Sequence, residues 1–355
     1  MEMKRRRINL GFDRFSGFYL WALFIIIYGY WEPQLFLSMA TFHSVASEYA
    51  ISGLVGLAVL VPLIGGAFDL SVGATVNLSA IIAIQLQVSN GWNMWIAIAI
   101  AIGAALLIGV VNGFIVVKLQ VSSFIATLGM ATVVAAVQYI VTGGGQPSSP
   151  TSTLWANLTQ HTILGFQAII FYLIVIAFIF WWALELTPAG RYLYAVGGNI
   201  EAARLSGVKV GKWTWLSLIT SAGLSGVAGV LYASLSGPSL TFGVSLLLPA
   251  FAAVFLGSTQ LKPGRANVWG TLLAIYVLAT GVRGLQLATG AQWLNDMFNG
   301  VALIVAVSFA GWRQRAAATN RLRPGSPGPE EESPPPDPVT SGGATTDATG
   351  AEPAV

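Results

Sequence analysis

The chain has no cysteine, two histidines and few charges, and each shortage removes a class of function. Without cysteine there is no disulfide, no thiolate nucleophile and no cysteine-ligated metal, although the compartment is left open. His43 and His161 stand apart and without partners, which argues against a histidine metal site. Charged residues make up 9% of the chain, against roughly 25% in an ordinary soluble domain. A separate soluble domain of any size is therefore excluded. No G-x-x-x-x-G-K-S/T run occurs, so the chain has no loop to cradle the phosphates of ATP. No Ser/His/Asp set or paired carboxylates point to an enzyme. The longest stretch between spans on its side, Thr142 to Leu164, lacks lysine and arginine altogether.

What is abundant is apolar: 55% of the 355 residues, with a mean hydropathy of +0.72. The pattern predicts an all-α polytopic membrane protein with about ten transmembrane helices, some of them broken. The spans are expected near 17–37, 49–64, a stretch after Gly73 ending near Val88, 92–117, 124–141, 166–184, 213–235, 244–256, 268–282 and 298–312. Most approach the roughly 20 residues a bilayer core requires. Breaks are expected at Gly65–Gly73, within the fourth span at Asn112-Gly113, and within the eighth at Pro249. Residues 1–16 form a basic N-terminus, 17–312 the membrane domain, and 313–355 a Pro/Gly/Ser/Thr-rich tail too polar to bury a core.

Charge tests the count. With both termini cytoplasmic, sixteen of the 17 Lys and Arg residues fall inside and Arg283 alone falls outside. One span more or fewer would scramble that separation, so the net charge of +3 reads as topology and not as a nucleic-acid patch. The lipid bilayer is the expected surrounding, and nucleic acid is not an expected partner.

Between the sixth and seventh spans lies a water-facing island, residues 185–212, carrying Arg191, Arg204, Lys209 and Lys212. In it Asn199 can cap a short helix, Glu201 suits the positive end of its dipole, Ala202 and Ala203 propagate it, and Gly207 is a natural stop. A plain surface cap between two spans would use the same letters. However, Glu201-Ala202-Ala203-Arg204-Leu205-Ser206-Gly207 resembles the E-A-A-x-x-x-G segment of permease subunits of bacterial ABC importers. More narrowly, the chain is similar to the ribose/xylose/galactoside-type branch, which includes autoinducer-2 permeases. Asp69-Leu70-Ser71-Val72-Gly73, Asn112-Gly113 and Phe124-Ile125-Ala126-Thr127-Leu128-Gly129 match that branch in order, with Ser123 standing where proline is usual.

The resemblance implies a permease that forms a path for a sugar or sugar-like solute in the bacterial inner membrane. It implies as partners ABC ATPase subunits, an extracytoplasmic solute-binding protein and a second permease, a copy or a paralogue. ATP and Mg belong to the partner ATPase, and no cofactor is expected on this chain. Glu201, Ala202, Ala203, Arg204 and Gly207 are then the residues that dock the ATPase. Asp69, Ser71, Gly73, Asn112, Gln138 and Tyr139 are candidates for the path or for broken-helix geometry. For Asp69, capping the third helix competes with solute contact. An amino acid as solute, or an ion-coupled secondary transporter, are the alternative functions.

Overall fold

A computed structural model describes residues 12–291 and 293–321. Of the expected N-terminus 1–16 and tail 313–355, residues 1–11 and 322–355 lie outside the described residues, while 12–16 already belong to the first helix and 313–321 to the last. Contacts divide the chain into a main unit, Met1–Gln314, and a short unit from Arg315 that contributes the end of the last helix.

The chain is helical almost throughout. In order the helices are α1 (Phe12–Trp31), α2 (Pro33–Phe36), α3 (Met39–Ile64), α4 (Val72–Val88), α5 (Met94–Val117), α6 (Ser123–Thr142), α7 (Thr153–Gln160) and α8 (Ala168–Leu186). They continue as α9 (Pro188–Gly198), α10 (Ile200–Leu205), α11 (Val210–Ser236), α12 (Phe242–Ser245), α13 (Leu247–Gly257), α14 (Val268–Thr289) and α15 (Trp293–Arg321). One two-residue hairpin, β1 (Thr162–Ile163) with β2 (Phe166–Gln167), joins α7 to α8. Six helices among the described residues are long and apolar enough to cross a membrane: α3, α5, α6, α8, α11 and α14. Four shorter apolar stretches, 15–31, 72–88, 242–257 and 293–308, accompany them. The protein is therefore a multi-pass, all-α membrane protein.

Several expected boundaries move, each for a local reason. The helix expected from Tyr49 begins ten residues earlier, because Ser38 accepts a hydrogen bond from the Thr41 amide and caps it. The fourth span is not interrupted at Asn112-Gly113: α5 is continuous, and Asn112 is fully buried with its Nδ2 donating to Ser71 Oγ at 2.9 Å. The eighth segment breaks at Leu246, not at Pro249. Pro249 sits in the first turn of α13, where its missing N–H costs no helical bond. The stretch 142–164 is no open loop. It carries α7, whose Trp155 is buried and whose Thr159 hydroxyl lies 2.9 Å from that of Ser234 on α11. Finally, α15 continues past Trp312 to Arg321.

Hydrophobicity does not decide which helix is central. The most apolar, α5, has a hydropathy of 2.7 and is largely exposed, whereas α3, at 1.8, is largely buried. Small residues decide it. Gly53 and Gly56 leave room on α3 for Leu173 of α8 and Ile275 of α14. Without a solvent-driven force between helices in lipid, such close contact is what holds them. Polar bonds add to it around α4. Ser79 donates to the Gly226 carbonyl on α11, Gln138 of α6 donates to the Ala74 carbonyl, and Trp215 of α11 donates to the Val110 carbonyl on α5.

The short α12 is pinned to α4. Asn77 donates to the Leu240 carbonyl at 2.8 Å and accepts from the Gly243 amide at 2.7 Å. Gly73 and Gly243 meet backbone to backbone, with no room for a Cβ on either. Replacing Asn77→Leu should remove both bonds, each worth roughly 0.6–2 kcal/mol between helices in a membrane. The expected outcome is a lower unfolding midpoint of the purified protein in detergent. An unchanged midpoint would show that α12 is held by something else.

Candidate functional site

The island between α8 and α11 folds as two helices, not the single one expected. Its first, α9, starts with Pro188 in the first turn and turns Gly190, Leu193 and Val196 inward. Pro at that position is preset for a helix and loses no bond. Leu193 packs at Gly65, and Gly197 lies so close to the Ile64 carbonyl that a Cβ would collide with it. The island is thus seated directly on the C-terminal end of the central helix α3.

A polar clamp ties it to the turn between α13 and α14. Glu185 pairs with Lys262 Nζ at 2.6 Å and with Arg265 Nη2 at 3.7 Å, its side chain only 11% exposed. The Arg265 guanidinium lies 3.6 Å from the Tyr194 ring centroid, and the Tyr194 hydroxyl donates to the Ala266 carbonyl at 2.7 Å. Burial pushes the Tyr194 phenol up to about 12, Arg265 opposing and Glu185 adding to the rise. The phenol therefore stays protonated and keeps donating at neutral pH.

α10 is six residues long and presents the segment singled out by the sequence. Asn199 Oδ1 accepts from the Ala202 amide at 2.9 Å. At the other end Gly207 takes φ +81°, and the Val208 amide closes back on the Ala203 carbonyl at 3.0 Å. Ala203 alone of the expected docking residues is buried. Glu201, Ala202, Arg204 and Gly207 are all exposed. Glu201 and Arg204 pair with each other at 3.2 Å, a solvated pair worth at most about 1 kcal/mol. Leu205 and Ile200 were not among the expected residues, yet Leu205 is 88% exposed and Ile200 47%. Apolar side chains held out on a capped polar turn are the signal that motif reading passed over.

The path candidates are placed differently. Asp69 is fully buried in the break between α3 and α4 and caps no helix amide. Its Oδ1 accepts from the Ser71 amide at 3.0 Å and the Ser71 hydroxyl at 2.6 Å. Ser221 of α11 faces the same carboxylate. Asp69, Ser71 and Asn112 thus form one chain of side chains. Gln138 is buried against α4, Gly73 is closed off by Gly243, and Tyr139 is 61% exposed on the outside of α6. None of the six lines the cavity of about 370 Å³ that opens at the other end of α3. That cavity is bounded by Glu48 and Ser52 of α3, Tyr232 of α11, the α12–α13 segment, Gln286 of α14, and Asn295, Asp296 and Asn299 of α15. From Glu48 to Gly65, at the island, is about 25 Å along the helix.

The comparisons with known proteins identify the family. Residues 41–307 match the family described as branched-chain amino acid transport system / permease component. The chain belongs to this family. The permease is 31% identical over 312 residues to the autoinducer 2 import system permease of Enterobacter sp. (strain 638), covering 84% of this chain and 89% of that one. It is 30% identical to the fructose import permease of Rhizobium meliloti, covering 84% and 85% of the two chains. To the ribose import permease of Haemophilus influenzae it is 29% identical, covering 86% and 96%.

If the clamp seats the island, Glu185→Gln should free it from the α13–α14 turn while leaving α9 seated on α3. Hydrogen exchange at the Arg265 and Ala266 amides should then quicken, with Leu193 and Val196 less affected. Unchanged exchange at both places would show that the ion pairs do not hold the turn.

Proposed function

We propose that this permease forms the membrane path of an ATP-binding-cassette importer for a sugar or sugar-like solute. Its ten apolar stretches cross the bacterial inner membrane ten times, with both termini and the island in the cytoplasm. A separate ATPase binds ATP and Mg, a binding protein delivers the solute from outside, and a second permease completes the path. The relatives named for ribose, fructose and autoinducer 2 import support the solute class.

The observation that carries the reading is α10. It is a capped helix with Ile200 and Leu205 turned out, backed by α9 and anchored through it to the end of α3 and to the α13–α14 turn. A partner that pushed on it would move three membrane helices at once. Ala203 holds α10 to its own chain, while Glu201, Ala202, Arg204 and the turn at Gly207 face the ATPase. An amino acid is the rival solute, favoured by the description of the family.

The test is substitution on α10 in the assembled transporter. Leu205→Glu and Glu201→Lys should leave the permease inserted and its melting temperature close to the original, while Gly207→Arg, which strains a φ of +81°, should insert with a modestly lower one. Each should reduce co-purification of the ATPase, and with it ATP-driven uptake, by about tenfold or more. Normal uptake in all three would end the proposal that α10 is the docking element.

A further inference from the structure

We infer that the cavity at the island-remote end of α3 is a solute site for a neutral, polyhydroxylated molecule the size of one monosaccharide. This rests on the importer reading above and names where, within one chain, the solute is held. The volume of about 370 Å³ is at the lower end of the roughly 300–1,000 Å³ of small-molecule sites, so it suits a single small solute.

The wall chemistry narrows the solute further. Glu48 and Asp296 offer carboxylate oxygens, which only accept, while Gln286, Asn295 and Asn299 offer carboxamides that accept and donate. Asn299 Nδ2 donates to Asn295 Oδ1 at 2.8 Å, which orients the pair and leaves the Asn299 oxygen and the Asn295 amide hydrogens for a ligand. A molecule rich in hydroxyls can donate to the first set and both donate and accept with the second. Ile51, Ile275 and Leu278 give the floor an apolar surface. Tyr232 and Phe242 stack at 3.7 Å and 5° along the wall, offering a flat face for the C–H side of a sugar ring.

Charge argues against an amino acid. Among the described residues no lysine or arginine lines the cavity, so a solute carboxylate would meet Glu48 and Asp296 without a cation to balance it. Arg283 lies one turn from Gln286, but its Nη2 is directed to Ser44 Oγ at 3.4 Å. Ser44 in turn donates to Glu48 at 2.7 Å. Arg283 thus sits behind the carboxylate and not in the cavity wall.

The absence of cysteine from the chain makes a direct test clean. In the complete transporter, Ser52→Cys places a single thiol in the wall, to be labelled by a membrane-impermeant methanethiosulfonate. D-ribose or D-fructose should slow that labelling by about fivefold or more and L-leucine should not, while Asn299→Leu and Gln286→Leu should each cut uptake of the radiolabelled sugar by about tenfold or more at equal permease in the membrane. Wild-type sugar uptake with unslowed labelling and full uptake in both variants would overturn the cavity assignment and leave the importer reading standing. Protection by leucine would overturn the solute class. A wild-type transporter that carries leucine and no sugar would overturn the importer's solute reading, and this inference with it.

Discussion

In an apolar bundle every backbone amide and carbonyl must find a partner within the protein, because the surrounding hydrocarbon offers none. Two breaks in the helices meet at α4, at residues 65–71 and 237–241, and the structure around α4 is arranged to repair them. At the first, the Phe68 amide donates to Ser123 Oγ, the Leu70 amide to Thr127 Oγ1 and the Ser71 amide to Asp69 Oδ1. At the second, Asn77 serves both Leu240 and Gly243. α4 lies between the two breaks and draws α5, α6, α11 and α12 around itself through these and neighbouring bonds. Its buried Thr75, Asn77 and Ser79 are therefore glue in a fold whose exposed helices are almost wholly apolar.

The same economy runs along α3. One end of this central helix supports the island through Gly65 and Gly197, and the other end floors a polar cavity. The island also holds the turn between α13 and α14 through Glu185 and Tyr194, and both of those helices reach the cavity wall. A displacement at α10 thus has a packed route to the far side that needs no flexible linker. Apart from the buried Asp69, the ion pairs sit toward the two ends, and the middle is closed by glycine contacts and neutral hydrogen bonds.

Much of the island was legible because caps are local. Asn199, Gly207 and the alanines between them act within a few residues of one another, and the structure places each in the geometry its letters imply. α9 was harder to read, since its glycines at 190, 197 and 198 depress helix propensity and are needed only for the backbone contacts of Gly190 and Gly197 with neighbouring turns. Leu205 and Ile200 read as ordinary helix-formers, and exposure is not a property of letters. Ser123 looked like a departure from a familiar proline and proved to be a hydrogen-bond acceptor for a residue 55 positions away. The cavity was illegible because Glu48, Gln286 and Asn299 come from three helices that only packing brings together.

The sequence by itself determined that this is a polytopic helical membrane protein, where its apolar stretches lie and where the capped turn sits among them. Hydropathy and capping are sums over neighbouring residues, so no tertiary knowledge is needed to evaluate them. Only the tertiary structure decided that the less apolar α3 is central, that Asn112 ties α5 to the break before α4, and that a polar cavity opens opposite the island. Those outcomes depend on which small residue meets which large one across the bundle, a matter of shape between distant segments that no local pattern encodes.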